Sequence, residues 1–229
     1  MCTRCGEEIC AGCHGTDLRG LAVCTRCRGG MPVVEIPFEA EEPGPTFAGF
    51  RQTLSQAIFS PQMFFAGMPT QGVGWAPAAV FGTVCVALGL LANGLWEKAV
   101  GADYAEDIAR NAEALGMTAG ATEAALFLMI PLGAVITYFL HTALLYCSLR
   151  IFGVSTSWGV VARISGYALS GYVLMVAPPL GSFSLGHFLM IFWVFNLEVS
   201  AMRWLYGLGF WKSMGVVLLP LMLFIMATG

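Results

Sequence analysis

"LYCSLRIFGVSTSWGVVARISGYALSGYVLMVAPPLG" (residues 145–181) contains the end of one apolar run, a short polar connection and a second apolar run. The second run, residues 159–178, carries a single charge, Arg163, and stops at Pro178-Pro179-Leu180-Gly181. No helix crosses that sequence unbroken, because proline lacks the amide donor and clashes with the preceding turn. A bilayer-crossing helix needs about 20 mostly apolar residues, and this run supplies that length. The stretch therefore reads as two membrane helices joined on one side by a tight loop.

The rest of the chain agrees. Of its 229 residues, 57% are hydrophobic and 11% charged, against about 25% charged in an ordinary soluble domain. Mean hydropathy is +0.74. So few charges cannot solvate a surface of this size, which makes the lipid bilayer the expected solvent. The net charge of −3 and the lack of a basic stripe exclude a nucleic-acid partner. Five apolar segments have the length of spans: roughly 75–96, 124–149, 159–178, 184–203 and 213–229.

Basic residues orient them. Arg4, Arg19, Arg26, Arg28 and Arg51 precede the first segment, Arg150 and Arg163 bracket the second connection, and Arg203 and Lys212 bracket the fourth. With five spans those nine share one side, and only Lys98 and Arg110 lie on the other. The N-terminus is expected in the cytosol and the C-terminus outside. The first 30 residues are polar and show no apolar signal segment.

That N-terminal stretch, residues 1–30, holds Cys2-x2-Cys5, Cys10-x2-Cys13 and Cys24-x2-Cys27. In a reducing compartment, clustered cysteines bind metal rather than forming disulfides. The outer pairs make C-x2-C-x18-C-x2-C, a zinc-ribbon type of spacing. Zn²⁺ takes four ligands tetrahedrally, and each C-x2-C turn supplies two thiolates. Cys2, Cys5, Cys24 and Cys27 are thus the expected zinc ligands. Cys10 and Cys13 are left as second or alternative ligands, with His14 or Asp17 beside them. Four thiolates close the metal, which points to a structural ion and away from catalysis. The pattern resembles B-box-like zinc fingers at the N-termini of some bacterial membrane proteins. Those commonly begin with a further Cys/His pair, for which this sequence has no counterpart before Met1.

Residues 31–45, "MPVVEIPFEAEEPGP", read as an extended, self-repelling linker rich in proline and glutamate. Residues 46–72 follow as an amphipathic segment. Thr46 can cap a helix in which Phe47, Phe50, Leu54 and Ile58 fall on one face, suited to the cytoplasmic headgroup layer. A soluble helix packed on the zinc module is the alternative.

Charges in a bilayer are costly, about 2.5–3.5 kcal/mol each on insertion scales. Glu198 and Arg163 lie at comparable depths in the fourth and third segments, and are expected either to pair or to reach the cytoplasmic headgroups. His141, Asn93 and Asn196 suit interhelical hydrogen bonds. "ALSG" (168–171) with His187 is a poor match to a rhomboid-type protease, since Ala168 stands where glycine belongs; Gly166 and Ser170 instead give a small-residue packing face. No catalytic residue is assigned.

"FRQTLSQAIFSPQMFFAGM" (50–68) and residues 145–181 resemble the Yip1 domain family, over residues 46–229. The resemblance implies five membrane helices with a cytosolic N-terminus. Eukaryotic relatives are adaptors for small GTPases and vesicle traffic, while bacterial relatives share no assigned activity. The expected fold is therefore an all-α membrane protein: five transmembrane helices preceded by an interfacial amphipathic helix and a small zinc-binding module. The expected function is a non-enzymatic adaptor of the bacterial inner membrane that presents a cytosolic zinc finger to a protein partner. A homo-oligomer is compatible with it. The competing reading is a small permease or lipid-handling protein whose route passes Glu198, Arg163 and His141.

Overall fold

The computed structural model describes residues 14–16, 22–24, 36–40, 45–68, 74–101, 103–180 and 183–228. Among them a small antiparallel hairpin, β1 (His14–Thr16) and β2 (Ala22–Cys24), precedes eight α-helices. These are α1 (Phe47–Phe59), α2 (Pro61–Gly67), α3 (Ala76–Val100), α4 (Tyr104–Leu115), α5 (Ala119–Ile151), α6 (Trp158–Ala168), α7 (Leu185–Tyr206) and α8 (Phe210–Thr228). A 3-10 segment, Leu169–Val176, continues α6.

Among the described residues, four segments are long and apolar enough to cross a membrane: α3, α5, α6 with its 3-10 continuation, and α7. The fifth expected segment coincides with α8. The third span is the central one and mostly buried, whereas α5 is largely exposed. The exposure is apolar. Val80, Val84, Leu88, Leu91 and Leu95 form an outward stripe along α3, and Leu128, Leu132, Ile136 and Leu140 do so on α5. So large a contiguous apolar surface needs a nonaqueous neighbour, as the composition anticipated.

The third span can be central because its backbone comes very close to α3. A Cβ added at Gly166 would lie 2.3 Å from the carbonyl oxygen of Ala78, and one at Gly82 would lie 2.7 Å from that of Gly166. Two turns on, a Cβ at Gly89 would lie 2.4 Å from the Tyr172 carbonyl oxygen. Small residues permit this approach, and dispersion contacts between the backbones reward it.

Several features depart from expectation. Residues 104–115 form α4, which buries only Ile108 and Ala112, one turn apart, and ends at Gly116 with φ of 64°. It packs on α5, whose helix starts at Ala119 rather than near 124. At this end Lys98 pairs with Glu123 at 2.6 Å, and Tyr104 donates to the same carboxylate at 3.1 Å.

The segment 46–72 contains α1 and α2. Thr46 Oγ1 caps α1 by accepting from the Gly49 amide at 3.2 Å. Phe50 and Leu54 pack on the core, but Phe47 is 82% exposed, and the deepest face is Gly49, Thr53 and Ala57. Small residues at four-residue spacing let α1 lie close to the bundle. On α2, Phe64 and Phe65 are buried, Phe64 edge-on to Tyr167 with centroids 5.1 Å apart.

Residues 36–40 depart from the extended linker. They form a turn in which the amides of Glu39 and Ala40 both donate to the Ile36 carbonyl, at 2.8 and 3.0 Å. Ile36 and Phe38 are buried. The Phe38 ring meets Phe81 at 5.5 Å and Phe50 at 6.3 Å, and the Phe38 amide donates to Thr53 Oγ1 at 3.0 Å. Burying each such side chain is worth about 1.5–3 kcal/mol, more than the fraction of a kcal/mol that exposed like charges typically exchange. Packing therefore overrides glutamate repulsion here. The other linker residues, 31–35 and 41–44, lie outside the described residues.

Candidate functional site

Arg163 sits on the second turn of α6, about 8 Å from that helix's start at 1.5 Å per residue. Tyr167 follows one turn later. Both donate to the carboxylate of Glu39, carried in by the 36–40 turn. Arg163 Nε donates to Oε1 at 3.1 Å, Nη2 donates to Oε2, and the Tyr167 hydroxyl donates to Oε1 at 2.6 Å. The arginine and glutamate side chains are 2% and 6% exposed. A fork of two N–H groups on one carboxylate is the strongest common ion-pair geometry, and the phenol fills a remaining lone pair. Phe38, Phe64 and Phe81 surround the site and keep it dry.

Glu198 belongs to a different pair. Its Oε1 lies 2.7 Å from His141 Nε2, joining α7 to α5. Glu198 is almost fully buried, while His141 keeps 25% of its side chain exposed. The expected Arg163–Glu198 pair is thus replaced by two others, Arg163–Glu39 and His141–Glu198. The reason is geometric: residues 36–40, a strap docked on the bundle, bring a nearer carboxylate to Arg163, and α5 brings an imidazole to Glu198. Neither charge reaches out to the headgroups, since both side chains are buried. Asn93 bonds Glu97 within its own helix at 2.7 Å. The His141–Glu198 contact makes a prediction. His141→Leu and Glu198→Leu should each lower the unfolding midpoint in detergent, with a coupling of about 1–3 kcal/mol in the double-mutant cycle. Strict additivity would contradict the pair.

Of the expected zinc ligands and their alternates, Cys2, Cys5, Cys10, Cys13 and Cys27 lie outside the described residues. His14 and Cys24 are described at the level of backbone and face each other in the register of the β1–β2 hairpin. Among the described residues, no three His, Cys, Asp or Glu side chains gather as a metal site. Cys85 is a free, buried thiol and Cys147 a free, exposed one.

The small-residue reading of the third span fits its packing. Ser170 is fully buried and its Oγ has no hydrogen-bond partner, while His187 Nδ1 is 2.6 Å from Ser184 Oγ. The serine and histidine of the protease-like motif are therefore not hydrogen-bonded to each other.

Glu39 and Tyr167 are the site residues that sequence reasoning missed. A signal for Glu39 existed in Ile36-Pro37-Phe38, an apolar patch inside an otherwise acidic stretch. Tyr167 had a fainter one, the spacing Arg163-x-x-x-Tyr167, which puts both groups on one helix face.

No protein-family model, curated protein or solved structure matches the chain.

Proposed function

We propose that this protein is a non-enzymatic adaptor of a bacterial inner membrane, in which a cytosolic zinc finger is coupled to a bundle of five spans. The observation that carries the reading is the Glu39 strap. Twelve residues after Cys27, the chain is anchored into the bundle by a buried ion pair and two buried apolar side chains. A finger on such an anchor is confined beside the bilayer, which raises its effective concentration for partners already there. α8 serves as the fifth span. The bias of basic residues supports a cytosolic side for the strap, Arg51, Arg150 and Lys212 and an outer side for the Lys98–Glu123 cluster. α1 and α2 lie along the cytoplasmic face, with exposed Phe47, Phe59 and Met63 available to the headgroup layer. The resemblance to the Yip1 domain family supports the same topology.

Cys2, Cys5, Cys24 and Cys27 are the zinc ligands in this reading, and Cys10, Cys13 and His14 are the residues for a second or alternative site. Zinc would supply folding energy to a module too small to hold itself together. Cys2→Ser with Cys5→Ser is expected to abolish in-cell crosslinking to the protein partner while membrane insertion stays normal. Unchanged crosslinking in that variant would refute the adaptor reading.

A second reading, a small permease, is favoured by the buried His141–Glu198 contact alone. Arg163 is committed to the strap and leaves that route. Loss of an uptake phenotype in His141→Leu, with partner crosslinking intact, would shift the assignment to it.

A further inference from the structure

Of the three polar residues suited to interhelical hydrogen bonds, His141 meets Glu198 and Asn93 bonds within its own helix. Asn196 does neither. Among the described residues its carboxamide makes no hydrogen bond, although it stands half way along α7. At 1.5 Å per residue it lies about 15 Å from either end of that helix, the middle of a hydrocarbon layer about 30 Å thick. Neither water nor a lipid headgroup serves that depth, and an amide left unpaired in an apolar medium is strongly disfavoured.

The rest of the face indicates where a partner would come from. Two residues separate Asn196 from Glu198, so the two side chains leave α7 on opposite sides and Asn196 faces away from the His141 contact. The residue is half-buried. One turn before it, Phe192 is 53% exposed, and Phe188 a further turn back is 55% exposed. Their rings stack with centroids 6.4 Å apart. One turn after it comes Ser200, a small residue whose hydroxyl likewise has no hydrogen bond among the described residues. An aromatic ridge followed by a small residue lets another helix come close at Asn196.

We propose that this face of α7 is a homodimer interface, in which Asn196 of each copy donates to and accepts from Asn196 of the other. A carboxamide carries both N–H donors and an acceptor oxygen, so it complements itself. Copies inserted the same way up are related by a twofold axis along the membrane normal. Such an axis sets a residue beside it against its own counterpart at equal depth. A lipid tail offers neither donor nor acceptor, and a different membrane protein would need a polar group of its own at mid-span. A second copy supplies one by symmetry. The inference goes beyond the adaptor reading and depends on neither the zinc module nor its partner.

The test uses the full-length protein. A photoreactive phenylalanine analogue replacing Phe192, activated in intact membranes, is expected to give adducts of twice the chain mass, mapped by mass spectrometry to residues 189–200 of α7. In native mass spectrometry from a mild detergent the unaltered chain should appear as a dimer. Asn196→Leu should raise the dimer dissociation constant roughly tenfold, as expected for losing an interhelical hydrogen-bonded pair. Asn196→Gln keeps a donor and an acceptor and should retain most of the affinity, and Ile136→Ala on the exposed face of α5 should leave it unchanged. Should Asn196→Leu not accumulate, the position-192 adducts decide alone. A monomer in membranes and detergent alike would overturn the proposal. So would adducts only with lipid or with other proteins, or an Asn196→Leu dimer as tight as the unaltered one.

Discussion

Arg163→Met should destabilise the protein by about 3–5 kcal/mol, because it strands the Glu39 carboxylate in a dry aromatic pocket. The measurement is thermal or denaturant unfolding of the membrane domain in a mild detergent. Methionine fills much of the volume of arginine, so lost packing contributes little and lost charge pairing dominates. The Tyr167 hydroxyl would still donate to Glu39, but a neutral donor offsets only part of the desolvation. Adding Glu39→Gln removes the stranded charge, and the double variant should recover most of the loss. If Arg163→Met is instead neutral, Glu39 is solvated and the strap is not docked.

Gly166→Val should also be strongly damaging, through sterics alone. The first atom it adds would sit 2.3 Å from the Ala78 carbonyl oxygen, and the obstacle is backbone that cannot rotate away. Overpacking of well-filled sites costs about 1–3 kcal/mol, occasionally more, and this site belongs in the upper part of that range. Valine adds two methyl groups beyond that atom. Two helices must separate to admit it, and the contacts at Gly82 would loosen with them. A large loss of folded protein is expected, with Gly133→Val as the control, since nothing lies within 4 Å of a Cβ there.

Four of the five expected spans were legible because they depend on length and apolarity alone, which one sequence carries in full. The close packing on Gly166 was legible for a related reason: small residues at helical spacing leave few other uses. Helix α4 was not, since two apolar residues, Ile108 and Ala112, on an acidic segment give too weak a period. Partner choice was the harder matter. Arg163 and Glu198 stood out as charges in apolar segments, yet which carboxylate meets which cation is decided by how helices rotate against one another. Glu39 was hidden for another reason. In "EIPFEAEE" one glutamate among several reads as solvated, and only the burial of Ile36 and Phe38 draws that particular one inward.

The docking of residues 36–40 is the central claim, and photocrosslinking from position 38 tests it most directly. A photoreactive phenylalanine analogue replacing Phe38 in the full chain, activated in intact membranes, should form adducts mapped by mass spectrometry to α3 near Phe81 and to α1 near Phe50. Arg163→Met should reduce those adducts. Adducts found only on lipid or on other proteins, and none on α1 or α3, would contradict the account.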